Sequence, residues 1–265
     1  MKSETFNGSR FWNYFKYDLV QMWRNHMKAA LGISLAGLVL YVAVISWNLV
    51  FHQTWQAPGF DGRMIIAFLA FCALEFYQTR TYGYLTEKKA GSAWLMVPAS
   101  GVEKWVSMLI MTLIIIPVLF FVVYLGVDWL LCLVDHTSGA SLLSSFYDGV
   151  SKLGTIEAAD LPFSIGSLIW LMIAGFCFNF LYWLLCGICF KRFKIIWGIA
   201  IAFAGSLLIS IIGGSALALN EDSLELMAQE SVDATTGFMW LSGIVTAAAV
   251  GLAGGILYRI KTIKH

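Results

Sequence analysis

Six long apolar stretches follow one another along this chain, and they constrain its fold more than any other feature. Of its 265 residues, 59% are hydrophobic and only 12% are charged. A helix needs about 20 mainly apolar residues to cross a hydrocarbon core of roughly 30 Å, and each stretch reaches that length. The predicted spans are Ala29–Phe51, Met64–Tyr84, Trp105–Val134, Ile165–Phe190, Ile195–Leu219 and Gly237–Tyr258.

The apolar runs are continuous and do not alternate with a period of two, which predicts helices and excludes a barrel. The expected fold class is all-α, a polytopic membrane bundle of six spans. The residues between the spans are too few and too scattered for a second soluble domain. We therefore predict a single transmembrane domain over residues 1–265.

Basic residues predict the orientation of this bundle. Of the 17 Lys and Arg residues, all but Arg63 and Lys152 fall in the N-terminal segment, in every second connecting loop or in the C-terminal tail. Lys and Arg close to the ends of spans remain on the cytoplasmic side. Both termini are therefore predicted to be cytoplasmic, and the chain is expected in the cell (inner) membrane.

The N-terminal segment, residues 1–28, contains an amphipathic pattern of aromatic and basic residues. Trp12, Phe15, Leu19 and Trp23 recur at helical spacing. Such a pattern favours a helix that lies in the cytoplasmic headgroup layer. The alternative is a simple extension of the first span.

Two further features predict local helix geometry around the third span. Ser100 and Glu103 fit the S-x-x-E capping box, which marks a helix start. Pro117 lies inside the span and is expected to kink it. Small residues also recur every fourth position in the last two spans, a spacing that lets helix backbones approach closely. They are Gly198, Ala202, Ser206, Ser210 and Gly214 in the fifth span, and Gly243, Ala247, Gly251 and Gly255 in the sixth.

Charged residues within the spans are few. Glu75 lies in the second span and Asp128 near the outer end of the third. A charge in hydrocarbon is costly and usually faces the bundle interior or a water-filled cavity. Glu75 is interpreted either as part of a conduction path or conformational latch, or as a carboxylate that reaches the interface or pairs with Arg80.

Motifs for catalysis or nucleotide binding are missing from the sequence. There is no G-x-x-x-x-G-K-[ST] phosphate loop, no H-E-x-x-H and no G-x-S-x-G. Cys186 and Cys189 form a C-x-x-C, interpreted as packing residues rather than a redox or metal pair. We therefore expect no enzyme activity, no metal and no cofactor bound by this chain, and nothing indicates a nucleic-acid partner.

The loop between the second and third spans, Tyr84–Lys104, has the most informative local pattern. It begins with charged residues, which are followed by a Gly-Ser pair and then by a short apolar stretch that ends at Pro98. The pattern predicts an amphipathic helix of one or two turns at the cytoplasmic surface. Trp94, Leu95 and Met96 would be exposed there unless a membrane or a groove on a cytoplasmic protein covers them.

This loop resembles the corresponding loop of type-2 ABC exporter permeases. That family has an acidic–basic pair, a Gly followed by Thr or Ser, apolar residues, and then Pro-x-Ser before a helix. The span count, the cytoplasmic termini and the N-terminal helix are also similar to that family. The matching residues are Glu87, Lys88, Lys89, Gly91, Ser92, Leu95, Pro98 and Ser100.

The resemblance implies a function for the loop. Its short helix, with Trp94, would be a coupling helix that docks on a separate cytoplasmic ATPase subunit, and ATP and Mg²⁺ would bind to that partner. It also implies pairing with a second permease copy or a sister permease, with Glu75 and the fifth span near the translocation path. Two other functions remain open: an ion-coupled carrier that uses Glu75, and a membrane scaffold or assembly protein that docks through the loop.

Overall fold

The computed structural model describes residues 6–86, 91, 94, 96–153, 165–218 and 234–262, and these residues are mainly helical, with no β-strand among them. Helices α1 to α5 precede the predicted outer loop of residues 135–164, α6 lies within it, and α7 to α9 follow it. Short 3₁₀ turns occur at Gly83–Thr86 and His136–Ser138. The helices are α1 (Gly8–Asn25), α2 (Met27–Ser34), α3 (Ala36–Phe51), α4 (Phe60–Thr81), α5 (Gly101–Val134), α6 (Leu142–Leu153), α7 (Ile165–Cys189), α8 (Lys194–Ala218) and α9 (Ala234–Thr262).

The helices coincide in sequence with all six predicted apolar segments. Within the described residues, three are long and apolar enough to cross a membrane: α5, α7 and the Met239–Thr262 part of α9. The bent pair α2–α3 makes a fourth if it is counted as one span. Helix α4 is not among them, and its second half contains Glu75 and Arg80. The described residues therefore confirm an all-helical fold with three or four helices that could cross a membrane, and six crossings remain a prediction.

The chain divides into two compact units. The first contains Met1–Thr81 and Pro98–Ile156, and the second contains Tyr82–Val97 and Glu157–His265. The loop segment from Tyr82 to Val97 therefore belongs to the second unit, although its neighbours in the chain on both sides belong to the first.

Helix α1 packs on the start of α5 in the first unit. Its buried side chains are Tyr14, Asp18 and Met22, spaced four residues apart, and the Ser107 hydroxyl donates to Asp18 Oδ2 over 2.6 Å. The side chain of Trp23 is 58% exposed. Of the aromatic face that the sequence predicted for a membrane surface, Trp12 and Trp23 are more than half exposed, whereas Phe15 and Leu19 are half-buried.

The first apolar segment was predicted as one continuous span, but it bends by 41° between α2 and α3. The Ser34 hydroxyl donates to the carbonyl of Ala30 over 2.8 Å, and Ser34 is buried. A serine that bonds back to the preceding turn competes with the backbone ladder and often bends a helix. The bend therefore has a local cause, the hydrogen bond of Ser34, which the apolar composition of the segment does not reveal.

Pro117 is accommodated by a π-helical turn. The turn covers Met111–Ile115, directly before the regular helix resumes at Ile116–Val134. Proline has no N–H and its ring clashes with the carbonyl four residues earlier, so regular hydrogen bonding cannot continue through it. Helix α5 contains this wider turn at the position where the sequence predicted a kink.

A buried ion pair joins α4 to α5 at the predicted outer end of the first unit. Arg63 Nη1 donates to Asp128 Oδ1 over 2.7 Å, and both side chains are almost fully buried. Arg63 Nη2 also donates to the carbonyls of Ser138 and Ala140, and Asp128 accepts from the backbone N–H of Leu142. One arginine and one aspartate thus fix two helices, the following loop and the start of α6.

Asp135, directly after α5, forms a second polar cluster in the same unit. Its carboxylate accepts from the Thr137 hydroxyl, from Tyr41 Oη over 2.7 Å and from Trp55 Nε1 over 2.9 Å. These donors stabilise the charged form, and they hold the pKa of Asp135 well below its usual range. The loop after α3 is therefore attached to the end of α5.

In the second unit, α7 packs against both α8 and α9. Buried residues on α9 recur mostly at intervals of seven: Ser242, Ala249, Ile256 and Ile260. Among the predicted small-residue positions, Gly198 is buried and Gly255 is half-buried, whereas the other described positions are exposed within this chain. The exposed positions are Ala202, Ser206, Ser210, Gly243, Ala247 and Gly251, and the burial of Gly214 is outside the described residues.

Gly198 allows a close approach between α8 and α7. Tyr182 Oη donates to its carbonyl over 2.6 Å, and a Cβ placed on Gly198 would lie 2.5 Å from Cζ3 of Trp183. The indole of Trp183 is itself buried. A larger residue at Gly198 must therefore displace a packed ring.

We expect Gly198→Leu to lower the free energy of unfolding by about 1–3 kcal/mol, because it overpacks this contact. Gly205→Leu is the matched control on the same helix, since a Cβ there would meet no atom within 4 Å. The control is expected to be neutral or slightly stabilising, because leucine favours helix over glycine. Thermal unfolding of the purified variants in detergent measures the difference, and equal midpoints would contradict the contact.

Candidate functional site

The loop between α4 and α5, Tyr82–Ser100, is the candidate site, and a lysine fixes its entrance. Lys194 Nζ, at the start of α8, donates to the carbonyl of Gly83 over 2.5 Å and to Thr86 Oγ1 over 3.3 Å. Tyr82 and Leu85 are almost completely buried. The 3₁₀ turn at the entrance also packs against α7. The first part of the loop is therefore held within the second unit.

The middle of the loop is helical at the three residues that are described, Gly91, Trp94 and Met96. The sequence predicted that Trp94 and Met96 would be exposed unless a membrane or a partner protein covered them. Trp94 is instead covered by the chain itself and is 4% exposed, whereas Met96 is 82% exposed. In this short apolar stretch, the indole of Trp94 is therefore buried and the side chain of Met96 is exposed. Glu87, Lys88, Lys89, Ser92 and Leu95 lie outside the described residues.

The exit of the loop is fixed at the capping box. The Ser100 hydroxyl accepts from the backbone N–H of Glu103 over 3.2 Å, and the Glu103 carboxylate accepts from the backbone N–H of Ser100 over 2.8 Å. The structure confirms this prediction. Pro98, which precedes the cap, is exposed. The direction of the chain into α5 is therefore set by two reciprocal hydrogen bonds.

Glu103 also binds the start of α1. Arg10 donates from Nε and Nη2, each over 2.7 Å, and the backbone N–H of Asn7 donates over 2.9 Å. The Glu103 side chain is completely buried, whereas that of Arg10 is 42% exposed. The hydrogen bond to Glu103 raises the pKa of Arg10. The carboxylate at the loop exit thus holds two separate helix starts together.

The second half of α4, which precedes the loop, has an unusually polar buried surface. Glu75 is 7% exposed, and Gln78 and Thr79 are completely buried. Neither amide atom of Gln78 forms a hydrogen bond with the described residues. Arg80 is exposed. A buried amide of this kind is costly and is often explained by function or by an unseen water or ion.

The C-x-x-C pair lies at the C-terminal end of α7. Cys186 is buried and Cys189 is exposed, and both thiols are free. Within the described residues, no group of three or more His, Cys, Asp or Glu side chains is arranged to hold a metal ion.

Several residues of the site were not expected from the sequence. Lys194 was recognised only as one of the cytoplasmic bases, and Glu103 only as a capping residue. Their contacts with Gly83 and Arg10 join positions about a hundred residues apart in the chain. The available signal was that both are charged residues beside a helix start on the predicted cytoplasmic side.

Comparisons of this chain with protein-family models, with curated proteins and with solved structures gave no match.

Proposed function

We propose that this chain is the membrane-spanning subunit of an ATP-binding-cassette exporter, and that its loop Tyr82–Ser100 receives motion from a separate ATPase subunit. The resemblance of the loop to type-2 exporter permeases supports this proposal, through Glu87, Gly91, Pro98 and their neighbours. The six apolar segments, all of which coincide with helices, support a six-span bundle with cytoplasmic termini in the inner membrane.

The observation on which the proposal depends is that both ends of the loop are fixed. Lys194 holds the entrance in the second unit, and Glu103 holds the exit in the first. The segment between them continues covalently into α4 on one side and α5 on the other. A segment fixed at both ends transmits a displacement to the helices it joins, whereas a free loop absorbs it by changing its own backbone angles.

The exposed part of the loop provides a surface for contact with the partner. Met96 and Pro98 are exposed, whereas Trp94 is buried within the chain. A short apolar helix that lies in a groove is a recurring mode of protein recognition. Methionine is enriched at such interfaces because its flexible side chain adapts to the partner.

In the proposed mechanism, ATP and Mg²⁺ bind only to the partner subunit. Nucleotide binding and hydrolysis there favour one of two arrangements of the permease helices through the contacts at the loop. A second copy of this chain or a sister permease completes the translocation path. This chain contributes the path and the coupling contacts, and no residue of it takes part in hydrolysis.

The test is to purify the chain together with a phosphate-loop ATPase that is encoded beside it, and to measure binding and ATP hydrolysis in lipid vesicles. We expect Met96→Asp to weaken binding of the ATPase about tenfold, as loss of one central apolar contact typically does, and to reduce its stimulation. Tyr147→Asp is the control, because Tyr147 is 73% exposed on the predicted outer side.

Three results would oppose the proposal. The ATPase could bind and respond to Met96→Asp as it does to wild type, which removes the loop from the interface. It could bind without nucleotide-dependent transport, which favours a scaffold or assembly protein. Finally, the chain could transport solute down an ion gradient with no ATPase present.

The second candidate function is an ion-coupled carrier. The buried polar side chains of α4 favour it. Glu75 and the amide of Gln78, which has no hydrogen-bond partner among the described residues, lie one helical turn apart in the second half of α4. A buried carboxylate next to an unsatisfied amide suits a proton or cation that binds and leaves. Under this function, Glu75→Gln abolishes ion-driven transport, whereas under the proposed function it leaves the dependence on ATPase intact.

A further inference from the structure

An apolar groove of about 480 Å³ opens along α1 in the first unit, between the end of α1 and the middle of α5. Leu19, Val20 and Trp23 form one wall, and residues such as Ile114 and Val118 form the other. Every residue that lines the groove is apolar. Its volume falls within the range of small-molecule sites.

The groove lies beside a helix that is long and apolar enough to cross a membrane. Ile114 belongs to the π-helical turn of α5, and Val118 follows it by one turn. Both side chains are more than half exposed, as are Val20 and Trp23 on the opposite wall. A hydrocarbon chain in the groove would therefore contact side chains that are otherwise uncovered within this chain.

The charges next to the groove are positive. Lys16 lies one helical turn before Val20 on the same face of α1, and its Nζ is 5.3 Å from the centre of the Trp12 ring. Arg24, one turn after Val20, is exposed. The acidic side chain of α1, Asp18, is on the opposite face, where it is buried and accepts a hydrogen bond from Ser107. The exposed surface of α1 therefore attracts an anion.

We infer that this groove binds an anionic phospholipid, with one acyl chain between α1 and α5 and the phosphate beside Lys16. The apolar walls match the acyl chain, and the base one turn away matches the charge of the headgroup. A neutral lipid would pack against the apolar walls but would not balance the charge of Lys16. The lipid would fix α1 against α5 in addition to the contacts of Glu103 and Asp18.

The test is native mass spectrometry of the purified chain after exchange into an equal mixture of phosphatidylglycerol and phosphatidylcholine. Wild type is expected to retain phosphatidylglycerol about fivefold over phosphatidylcholine, the preference typical of one lysine at an anionic surface. Lys16→Ala is expected to reduce this ratio to about one. Val118→Trp, which fills the groove, is expected to remove the retained lipid of both kinds.

Two matched controls lie away from the groove. Lys191→Ala removes an exposed base from another loop, and Ile169→Trp adds the same bulk at a residue of α7 that is 53% exposed. Both should behave as wild type. Equal retention of the two lipids by wild type, or an unchanged ratio in Lys16→Ala, would overturn the inference. The inference would also be overturned if Val118→Trp changed the protein from a dimer to a monomer and left lipid retention unaltered. The groove would then be occupied by a second copy of the chain.

Discussion

Replacing Arg63 by methionine is expected to lower the free energy of unfolding by about 3–5 kcal/mol, because it leaves a buried charge without its partner. Arg63 and Asp128 have side chains that are only 6% and 7% exposed. Methionine keeps most of the apolar volume of arginine, but the carboxylate and the carbonyls of Ser138 and Ala140 lose their donors. Denaturant unfolding of the purified protein in detergent micelles measures the loss.

Arg80→Met is the matched control for Arg63→Met. It makes the same substitution in the same helix at an exposed position, and we expect a change within about 0.5 kcal/mol. The double variant Arg63→Met/Asp128→Leu should recover part of the loss, since it removes the unpaired charge as well. If Arg63→Met and Arg80→Met unfold alike, the ion pair does not stabilise the fold.

Glu103→Ala is expected to lower the free energy of unfolding by about 2–3 kcal/mol, because it removes a cap and leaves several donors without an acceptor. The backbone N–H groups of Asn7 and Ser100 and the guanidinium of Arg10 all donate to this one buried carboxylate. The loss should be concentrated at α1. We therefore expect faster amide hydrogen exchange over Gly8–Asn25 than in wild type.

Two variants check that the effect of Glu103→Ala comes from this network. Asp148→Ala removes an exposed carboxylate in α6 and should leave exchange in α1 unchanged. Arg10→Met should cause a smaller loss than Glu103→Ala, because Arg10 is 42% exposed and the two backbone donors keep their acceptor. Unchanged exchange over α1 in Glu103→Ala would mean that Asp18 and the apolar contacts alone hold the helix.

Features that depend on neighbouring residues were predicted well from the sequence. The S-x-x-E pattern located the start of α5, because a capping box uses only residues three positions apart. Continuous apolar runs located the helices, since length and composition are local properties. Pro117 marked an irregular turn because proline always removes one backbone donor.

Features that depend on distant residues were not predicted. The pairing of Arg63 with Asp128 and of Arg10 with Glu103 joins residues on different helices. A single sequence shows that such charges exist but not which of them meet. The burial of Trp94 was missed for the same reason: an amphipathic pattern in a short loop does not show whether the rest of the chain covers it.

The wider turn at Met111–Ile115 determines which direction each end of α5 faces. The spacing between Glu103 and Asp128 is about seven full turns of regular helix, so without the π turn both carboxylates would point the same way. The extra residue in the π turn rotates the side chains of the rest of α5 by about 100° around the helix axis, compared with a regular helix. That rotation lets α5 bind α1 near its N-terminal end, through Glu103, and α4 near its C-terminal end, through Asp128. Deleting one residue from Met111–Ile115 would realign the two carboxylates and deprive one of these neighbours of its attachment.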